Sequence, residues 1–293
     1  MNRIRIKGDK KPVVLVQTNG EVRAAIKEIR DFTGIAVDTE GDSFYRYYEK
    51  VCLIQIATPD RIYLIDPLSP IDIMQVKELL ENTKIEKVFH DAAYDILLLK
   101  KSLDIHPVNI FDTQIAASKS RASQPGLKRL LEKYVGINVS KKMKLADWGK
   151  RPLTERMIEY AATDVRYLLE IKEELLKELN SLDGIKTKCK RLEKKEPKIK
   201  VFNPEKILNL PEAAKFSEQE KAALRRLYIW REEEAKKNDR PPFMIMQKKT
   251  LIELVKRKIK TIEDVKPLLG KKQGRNREFC SQIYSALKGE EEE

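Results

Sequence analysis

The chain predicts an α/β domain on a mixed sheet, followed by an all-α domain. Three observations carry this expectation. Residues 34–66 hold three β-rich runs joined by short connections. From 73 to 136, short apolar runs alternate with segments of helical spacing. Between 206 and 288 the apolar residues keep helical spacing throughout. A length of 293 residues suits about two domains.

The opening strand is "GIAVDTEGD", residues 34–42, bounded by Gly34 and Gly41. "VCLIQIA" (51–57) and "RIYLID" (61–66) follow, separated by "TPD", a hairpin signal that predicts an antiparallel meander. "IMQVKELLE" then reads as a helix, "KVFH" (87–90) as a strand, "DAAYDILLLKKS" as a helix and "NIFDT" (109–113) as a strand. Helical "PGLKRLLEKYVG" comes next. Strands that alternate with helices predict parallel pairing, so the sheet is mixed, with helices on both faces. A long helical stretch is expected over 153–180, with Thr154 as N-cap and Glu155 in the first turn.

The stretch "IKTKCKRLEKKEPKIKVFNPEK" is dense in lysine, carries Pro197 and Pro204 and reads as a linker or a charged helix end, and we place the domain boundary near it. The expected division is 1–182 for the α/β domain, 183–209 for a basic linker, 210–289 for the helical domain and 290–293 for an acidic tail. Turns are expected at 238–242 and 270–274.

Charge narrows the function classes. Lys plus Arg number 59 and Asp plus Glu 46, a net +13. Residues 181–293 carry 29 basic and 19 acidic side chains (net +10), against 30 and 27 (net +3) in residues 1–180. A basic excess favours a polyanionic partner, and the helical part is the more basic. Cys52, Cys189 and Cys280 are far apart and form neither a zinc spacing nor a disulfide framework. His90 and His106 are the only histidines, which argues against a histidine metal site. The charged N-terminus lacks an apolar signal core, and no apolar run approaches a membrane span, so a cytoplasmic protein is expected.

The carboxylates carry the chemistry. Asp38 and Glu40 lie two apart on one strand and share a face. Asp95 lies in the first turns of a helix. Tyr160 and Asp164 are spaced i, i+4 on another, beside Ala161 and Ala162, which permit close approach of a neighbour. Clustered carboxylates repel one another, and desolvation raises their pKa. The cluster becomes favourable when divalent cations with oxygen preference, Mg²⁺ or Mn²⁺, occupy it.

This order of residues resembles the tyrosine subgroup of the DEDD exonuclease superfamily. In detail it resembles the ribonuclease D family, in "VDTE", "CLIQIA", "FHDAAYDILLL", "FDTQIAA", "GLKRLLEKYVGI" and "KLADWGKRPLTERMIEYAATDVRYL", over roughly residues 10–180. The resemblance implies a ribonuclease H-like fold and 3′→5′ exonucleolytic hydrolysis with two divalent metal ions. Asp38, Glu40 and Asp164 would ligate one ion. Asp38 would bridge to the second, held by Asp95, and Tyr160 would orient the attacking water. Asp112 reads as a turn holder rather than a ligand. His90, Trp148 and Arg151 are candidate substrate contacts, and Phe44, Tyr45, Tyr47 and Tyr48 in "SFYRYY" could stack on bases.

The later segment, with "LYIWREEEAKKNDRPPFMI" and "LIELVKRKIKTIEDV", resembles an HRDC domain over about 210–288. That family usually has an acidic residue where this chain has Lys248. Lys248, Lys249, Lys256, Arg257, Lys258, Lys260, Lys271, Lys272 and Arg275 are candidate phosphate contacts, which would position RNA without reading its sequence. The resemblance implies an exoribonuclease that trims 3′ ends of structured RNA such as tRNA precursors, with single-stranded DNA as an alternative substrate and no membrane partner. A DNA-directed exonuclease and a non-catalytic RNA-binding scaffold are the competing expectations.

Overall fold

The structure is a computed structural model that describes residues 2–4, 11–120, 125–138, 143, 145–198 and 201–289. The chain divides into two compact units, Met1–Phe44 with Glu49–Lys198, and Tyr45–Tyr48 with Ile199–Glu293.

The first unit is built on a seven-stranded sheet. Its strands are β1 (Asn2–Ile4), β2 (Val13–Val16), β3 (Gly34–Gly41), β4 (Val51–Ala57), β5 (Ile62–Ile65), β6 (Glu86–Phe89) and β7 (Ile110–Asp112), in the order β1-β2-β5-β4-β3-β6-β7. The expected meander is present, because β3 pairs antiparallel with β4 and β4 with β5. The expected parallel pairing follows, β3 with β6 and β6 with β7. β1 and β2 were not anticipated; β2 pairs parallel with β5, a long-range partner that its own short run "VVLV" does not reveal.

The helices of this unit are α1 (Asn19–Ile29), α2 (Met74–Leu80), α3 (Ala93–Leu103), α4 (Thr113–Ala117), α5 (Leu127–Leu130), α6 (Glu155–Arg166), α7 (Leu168–Glu178) and α8 (Asp183–Glu193). A π-helical turn, Leu131–Val135, extends α5. β3, β4 and β5 are fully or almost wholly buried along their apolar positions, so the core lies around them. The stretch expected as one helix over 153–180 breaks at Tyr167, where φ is −116° and ψ 6°. Thr154 caps α6 as expected, accepting a bond from the Met157 amide.

The beginning of the expected linker is folded. Residues 183–193 form α8, and Ile185 and Cys189 are buried in the core of the first unit. Spacing by one helical turn gives this lysine-rich segment an apolar stripe that its composition hides. The Lys100 ammonium, itself buried, donates to the carbonyls of Glu193 and Lys195 and to Glu196 at 2.7–2.9 Å, closing the C-terminal end of α8.

The second unit is helical: α9 (Glu218–Lys237), α10 (Pro242–Ile245), α11 (Lys248–Lys256), α12 (Ile262–Val265), α13 (Lys271–Gly274) and α14 (Arg277–Lys288), with 3₁₀ turns at Pro204–Asn209, Ala213–Lys215 and Lys266–Leu268. Ser217 and Glu220 form a reciprocal capping box at the start of α9. Leu224, Leu227, Leu251, Leu254, Val265, Cys280 and Ile283 form its buried centre. All three cysteines are free and buried. Among the described residues no helix is long and apolar enough to cross a membrane.

Candidate active site

Two features of β3 aim its carboxylates. Asp38 and Glu40 alternate with Thr39, so the two acids share one face of the sheet while Thr39 points to the other. A register shift then falls between Glu40 and Gly41: Glu40 pairs with Leu53, but Gly41 pairs with Val51. Such a bulge bends the strand and re-aims the adjoining side chain. A Cβ at Gly41 would lie 2.9 Å from Leu98 Cδ2 of α3, so any larger residue there would push that side chain aside.

Asp95 comes from α3, which follows β6. The start of this helix is held by Asp112, at the end of β7. The Asp112 carboxylate accepts from the amides of Asp91 and Ala92, and also from Gln114 and Ile115 as N-cap of α4. It therefore holds turns, as expected, and does so at two helix starts. Asp91 takes a left-handed backbone (φ 62°), which these bonds over-determine. The Thr39 hydroxyl donates to Asp95 Oδ1 at 2.6 Å.

α6 brings Tyr160 and Asp164. Ala161 and Ala162 are fully buried, and α6 packs on β3, β4 and β5. The close approach that the alanine pair permits is thus used against the sheet. The Tyr160 hydroxyl stands one helical turn from the Asp164 carboxylate on the same face of α6.

These elements converge. Asp38, Glu40 and Asp164 each offer a carboxylate oxygen, and the three lie within 4.8 Å of one another. Asp95 stands outside that trio but is the neighbouring charge that acts most strongly on Asp38, ahead of Asp164 and Glu40. Burial and these like charges push Asp38 well above the usual carboxylate range. Burial pushes Asp95 up to about 6, against the Thr39 bond that lowers it. Burial likewise raises Asp164 to about 7, against the lowering effect of the Tyr160 hydroxyl. Burial and the surrounding carboxylates raise the Tyr160 phenol, so it stays protonated at neutral pH. Half-buried oxygens of like charge, uncomfortable alone, match a hard divalent cation. The residues present fit a hard divalent cation, with the trio as its ligand group.

The carboxylates open into a cavity of about 1700 Å³. Phe44, Tyr94, Lys128, Arg156 and His90 are among its lining residues. Phe44 and Tyr94 are exposed. Tyr94 donates to Glu49. His90 is neutral, its pKa lowered by burial. Its Nδ1 faces the Thr113 hydroxyl at 2.9 Å, whose own proton goes to the Phe89 carbonyl. His90 is therefore the Nδ1–H tautomer, with Nε2 as an acceptor.

Two expected substrate contacts are corrected. Trp148 is 1% exposed and packs on the Tyr160 ring at a centroid distance of 6.1 Å, so it backs the tyrosine instead of meeting substrate. Arg151 grips Asp66 with Nε and Nη2, both at 2.6 Å, and spends its remaining bonds on the carbonyls of Cys52, Trp148 and Lys150. A fork so occupied has no donor to offer a phosphate. Of the four aromatic residues in "SFYRYY", Phe44 lines the cavity, while the Tyr47 hydroxyl donates to Glu232 inside the second unit at 2.6 Å.

Lys248, Lys249, Lys256, Arg257, Lys258 and Lys260 are exposed on the second unit, the first two at the start of α11 and the rest at or beyond its end. Glu253 lies 3.7 Å from Lys256 and 4.0 Å from Arg257. The side chains of Lys271 and Lys272 lie outside the described residues.

A sheet that presents clustered acids from β3, α3 and α6, with a tyrosine one turn before the last, defines the nuclease class. Residues 13–180 match the 3′-5′ exonuclease family and residues 220–287 the HRDC domain, so the chain belongs to the 3′-5′ exonuclease family and carries an HRDC domain. It is 32% identical over 266 residues to the exosome complex exonuclease RRP6 of Saccharomyces cerevisiae, which covers 83% of this chain and 36% of that protein. It is 30% identical over 275 residues to ribonuclease D of Bartonella henselae, over 90% of this chain and 66% of that one. The chain thus spans between about a third and two thirds of the length of these two relatives. Among solved structures, Escherichia coli RNase D superposes with a TM-score of 0.69 at 26% identity, over 94% of this chain and 75% of that one. The catalytic core of RRP6 from Trypanosoma brucei shares the fold, with a TM-score of 0.83 at 22% identity, over 97% and 82%.

Thr39 and Asp112 were not anticipated as supports of Asp95. Thr39 sits between the two acids in the sequence, where strand alternation already turns it to the face that α3 covers.

Proposed function

We propose that this chain is a metal-dependent 3′→5′ exoribonuclease of the cytoplasm that trims the 3′ ends of structured RNA such as tRNA precursors and releases nucleoside 5′-monophosphates. The observation that carries the reading is the convergence of Asp38, Glu40 and Asp164 within 4.8 Å, beside Asp95 and Tyr160, at the floor of one cavity. The names of the ribonuclease D relatives support RNA as the substrate.

Asp38, Glu40 and Asp164 would hold one ion; Asp38 and Asp95 would hold the other. When bound, such ions offset charge on the scissile phosphate and lower the pKa of water. The rest falls to the chain. Tyr160, a phenol with an ordinary pKa of about 10 that burial raises further, works as a hydrogen-bond donor that orients the attacking water. Asp164 stands one turn from that hydroxyl on the same helix face and draws its dipole toward the site. Trp148 behind the ring limits its swing. Phe44 and Tyr94 present faces on which terminal bases can stack, and Lys128 and Arg156 supply positive charge to the backbone. Water attacks the terminal phosphodiester in line, the P–O bond to the penultimate 3′-oxygen breaks, and that oxygen leaves as a hydroxyl.

The test is a digest of RNA and of DNA with the same sequence, each with a 3′ extension, under Mn²⁺, Mg²⁺ or EDTA. Metal-dependent release of nucleoside 5′-monophosphates from RNA alone is expected. Equal or faster DNA digestion would replace the reading by a DNA-directed exonuclease, and no digestion of either by a binding scaffold.

A further inference from the structure

His90 follows the last residue of β6 and lines the same cavity as the carboxylates, yet no step of the hydrolysis uses it. The parallel register between β3 and β6 gives its place. Ala36 pairs with Val88, and carried two residues further the register sets His90 level with Asp38. The imidazole therefore belongs beside the acids, within reach of the sugar attached to the reacting phosphate.

The ring is held in one state. Its Nδ1 meets the Thr113 hydroxyl at 2.9 Å, and that hydroxyl donates to the Phe89 carbonyl, also at 2.9 Å. A hydroxyl has one proton, so toward His90 it can only accept, and Nδ1 carries the hydrogen. Nε2 is left as a lone pair. It makes no hydrogen bond among the described residues, and it is not one of the buried polar atoms that lack a partner, so it opens to the cavity. Burial lowers the pKa of the ring, which keeps that lone pair available at neutral pH.

A bare acceptor is poorly matched to a polyanion. Phosphate oxygens accept hydrogen bonds and give none, so they gain nothing from Nε2. The group of three carboxylates that fits a cation does not include it. The donors left on a nucleic acid are base N–H groups and ribose hydroxyls. Base donors change from one nucleotide to the next, and an enzyme that shortens a chain stepwise meets every base in turn. The ribose hydroxyl is the same at each step, and the 2′-hydroxyl is the group that separates RNA from DNA.

We propose that His90 is a specificity-determining residue, its Nε2 accepting a hydrogen bond from the 2′-hydroxyl of the terminal nucleotide. This rests on the reading of the chain as an exoribonuclease. Thr113 acts through it as a positioning residue, because the bond at Nδ1 fixes both the tautomer and the plane of the ring.

The test uses three 5′-labelled RNAs of one sequence whose terminal nucleotide is ribo, 2′-deoxy or 2′-fluoro. Fluorine occupies the position of the hydroxyl but has no proton to give. Removal of the first nucleotide in Mn²⁺ is compared, as kcat/KM, in wild type, His90→Asn and His90→Phe, beside the affinity for each RNA. Wild type should prefer the ribo end over both others by about 10-fold, the size of one hydrogen bond. His90→Asn keeps a donor for Thr113 and loses Nε2; His90→Phe loses both. Each variant should treat the three ends alike, and because the ratio is read within one variant, a loss of stability does not imitate it. A wild type that treats the three ends alike, as contact with the 3′-hydroxyl predicts, would overturn the proposal. So would a 2′-fluoro end removed as fast as the ribo end, or a wild-type ratio in either folded variant. If wild type removes no nucleotide from any RNA, the exoribonuclease reading fails, and equal affinity for ribo and 2′-deoxy ends would then overturn the role of His90 separately.

Discussion

The hydroxyl of Thr39 donates to Oδ1 of Asp95 across 2.6 Å, joining the back of β3 to the first turns of α3. Both residues are 6% exposed. The bond ties the acid that stands outside the main trio to the strand that carries the other two. Thr39→Val removes the donor and keeps the shape. Asp95 then loses an orienting bond, and RNA turnover should fall by about 10–100-fold. The stability cost should be about 2 kcal/mol, because the acceptor is buried and charged in use. Chemical denaturation and steady-state kinetics on one preparation measure both; unchanged kinetics would make the bond a packing detail.

Tyr160→Phe should leave the fold and Mn²⁺ affinity intact while slowing turnover by about 100-fold, within the range typical of a lost positioned proton-handling group. Trp148 packs on the ring, not the hydroxyl, so the packing survives the change. The check is single-turnover kinetics beside Mn²⁺ titration. A fall in Mn²⁺ affinity as large as the fall in rate would place the hydroxyl in metal binding instead.

Arg151→Ala tests the corrected role of this arginine. Asp66 is 1% exposed and depends on the guanidinium. Stranding that carboxylate should cost about 3 kcal/mol, seen as a lower melting temperature, with RNA affinity unchanged. The pH dependence has a definite sign. Burial raises the Asp66 carboxyl, and the bonds from Arg151 and Gln17 outweigh it, so the folded pKa is lowered. A lowered acid contributes stability above its unfolded pKa of about 4 and loses it as pH falls through the folded value. Wild type should therefore show a stability loss below about pH 4 that Arg151→Ala lacks. Denaturation curves between neutral and strongly acid pH measure it.

Much of this site was legible in the sequence, and what escaped did so for physical reasons. Strand alternation placed Asp38 and Glu40 on one face, and helix periodicity placed Tyr160 and Asp164 together; both are local rules. β2 escaped because its partner, β5, lies some fifty residues away. α8 escaped because lysines masked the stripe of Ile185 and Cys189. Trp148 and Arg151 read as substrate contacts because an aromatic and a cation near a site suggest binding, and only the burial of Trp148 and the grip of Arg151 on Asp66 reveal their duty. Thr39 was written between the acids, but its hydroxyl gains meaning only once the position of α3 is known.

The basic side chains of the second unit make a separate prediction. Replacing Lys248, Lys256, Arg257 and Lys258 by alanine should weaken RNA binding at low salt and make its salt dependence shallower by up to about four phosphate contacts. Affinity measured across a salt series checks it. A parallel shift with unchanged slope would show that these residues make no phosphate contacts.

The most direct measurement is the behaviour of Asp38→Asn toward a 5′-labelled RNA with a 3′ extension, in Mn²⁺, read as binding and as cleavage. Asp38 belongs to the carboxylate trio and would serve both ions in the proposed mechanism, and the substitution removes one charge at nearly constant shape. The account predicts wild-type RNA affinity, a wild-type circular dichroism spectrum, and no ladder of shortened products where wild type gives one. A folded Asp38→Asn chain that still shortens the RNA from its 3′ end at the wild-type rate would contradict it.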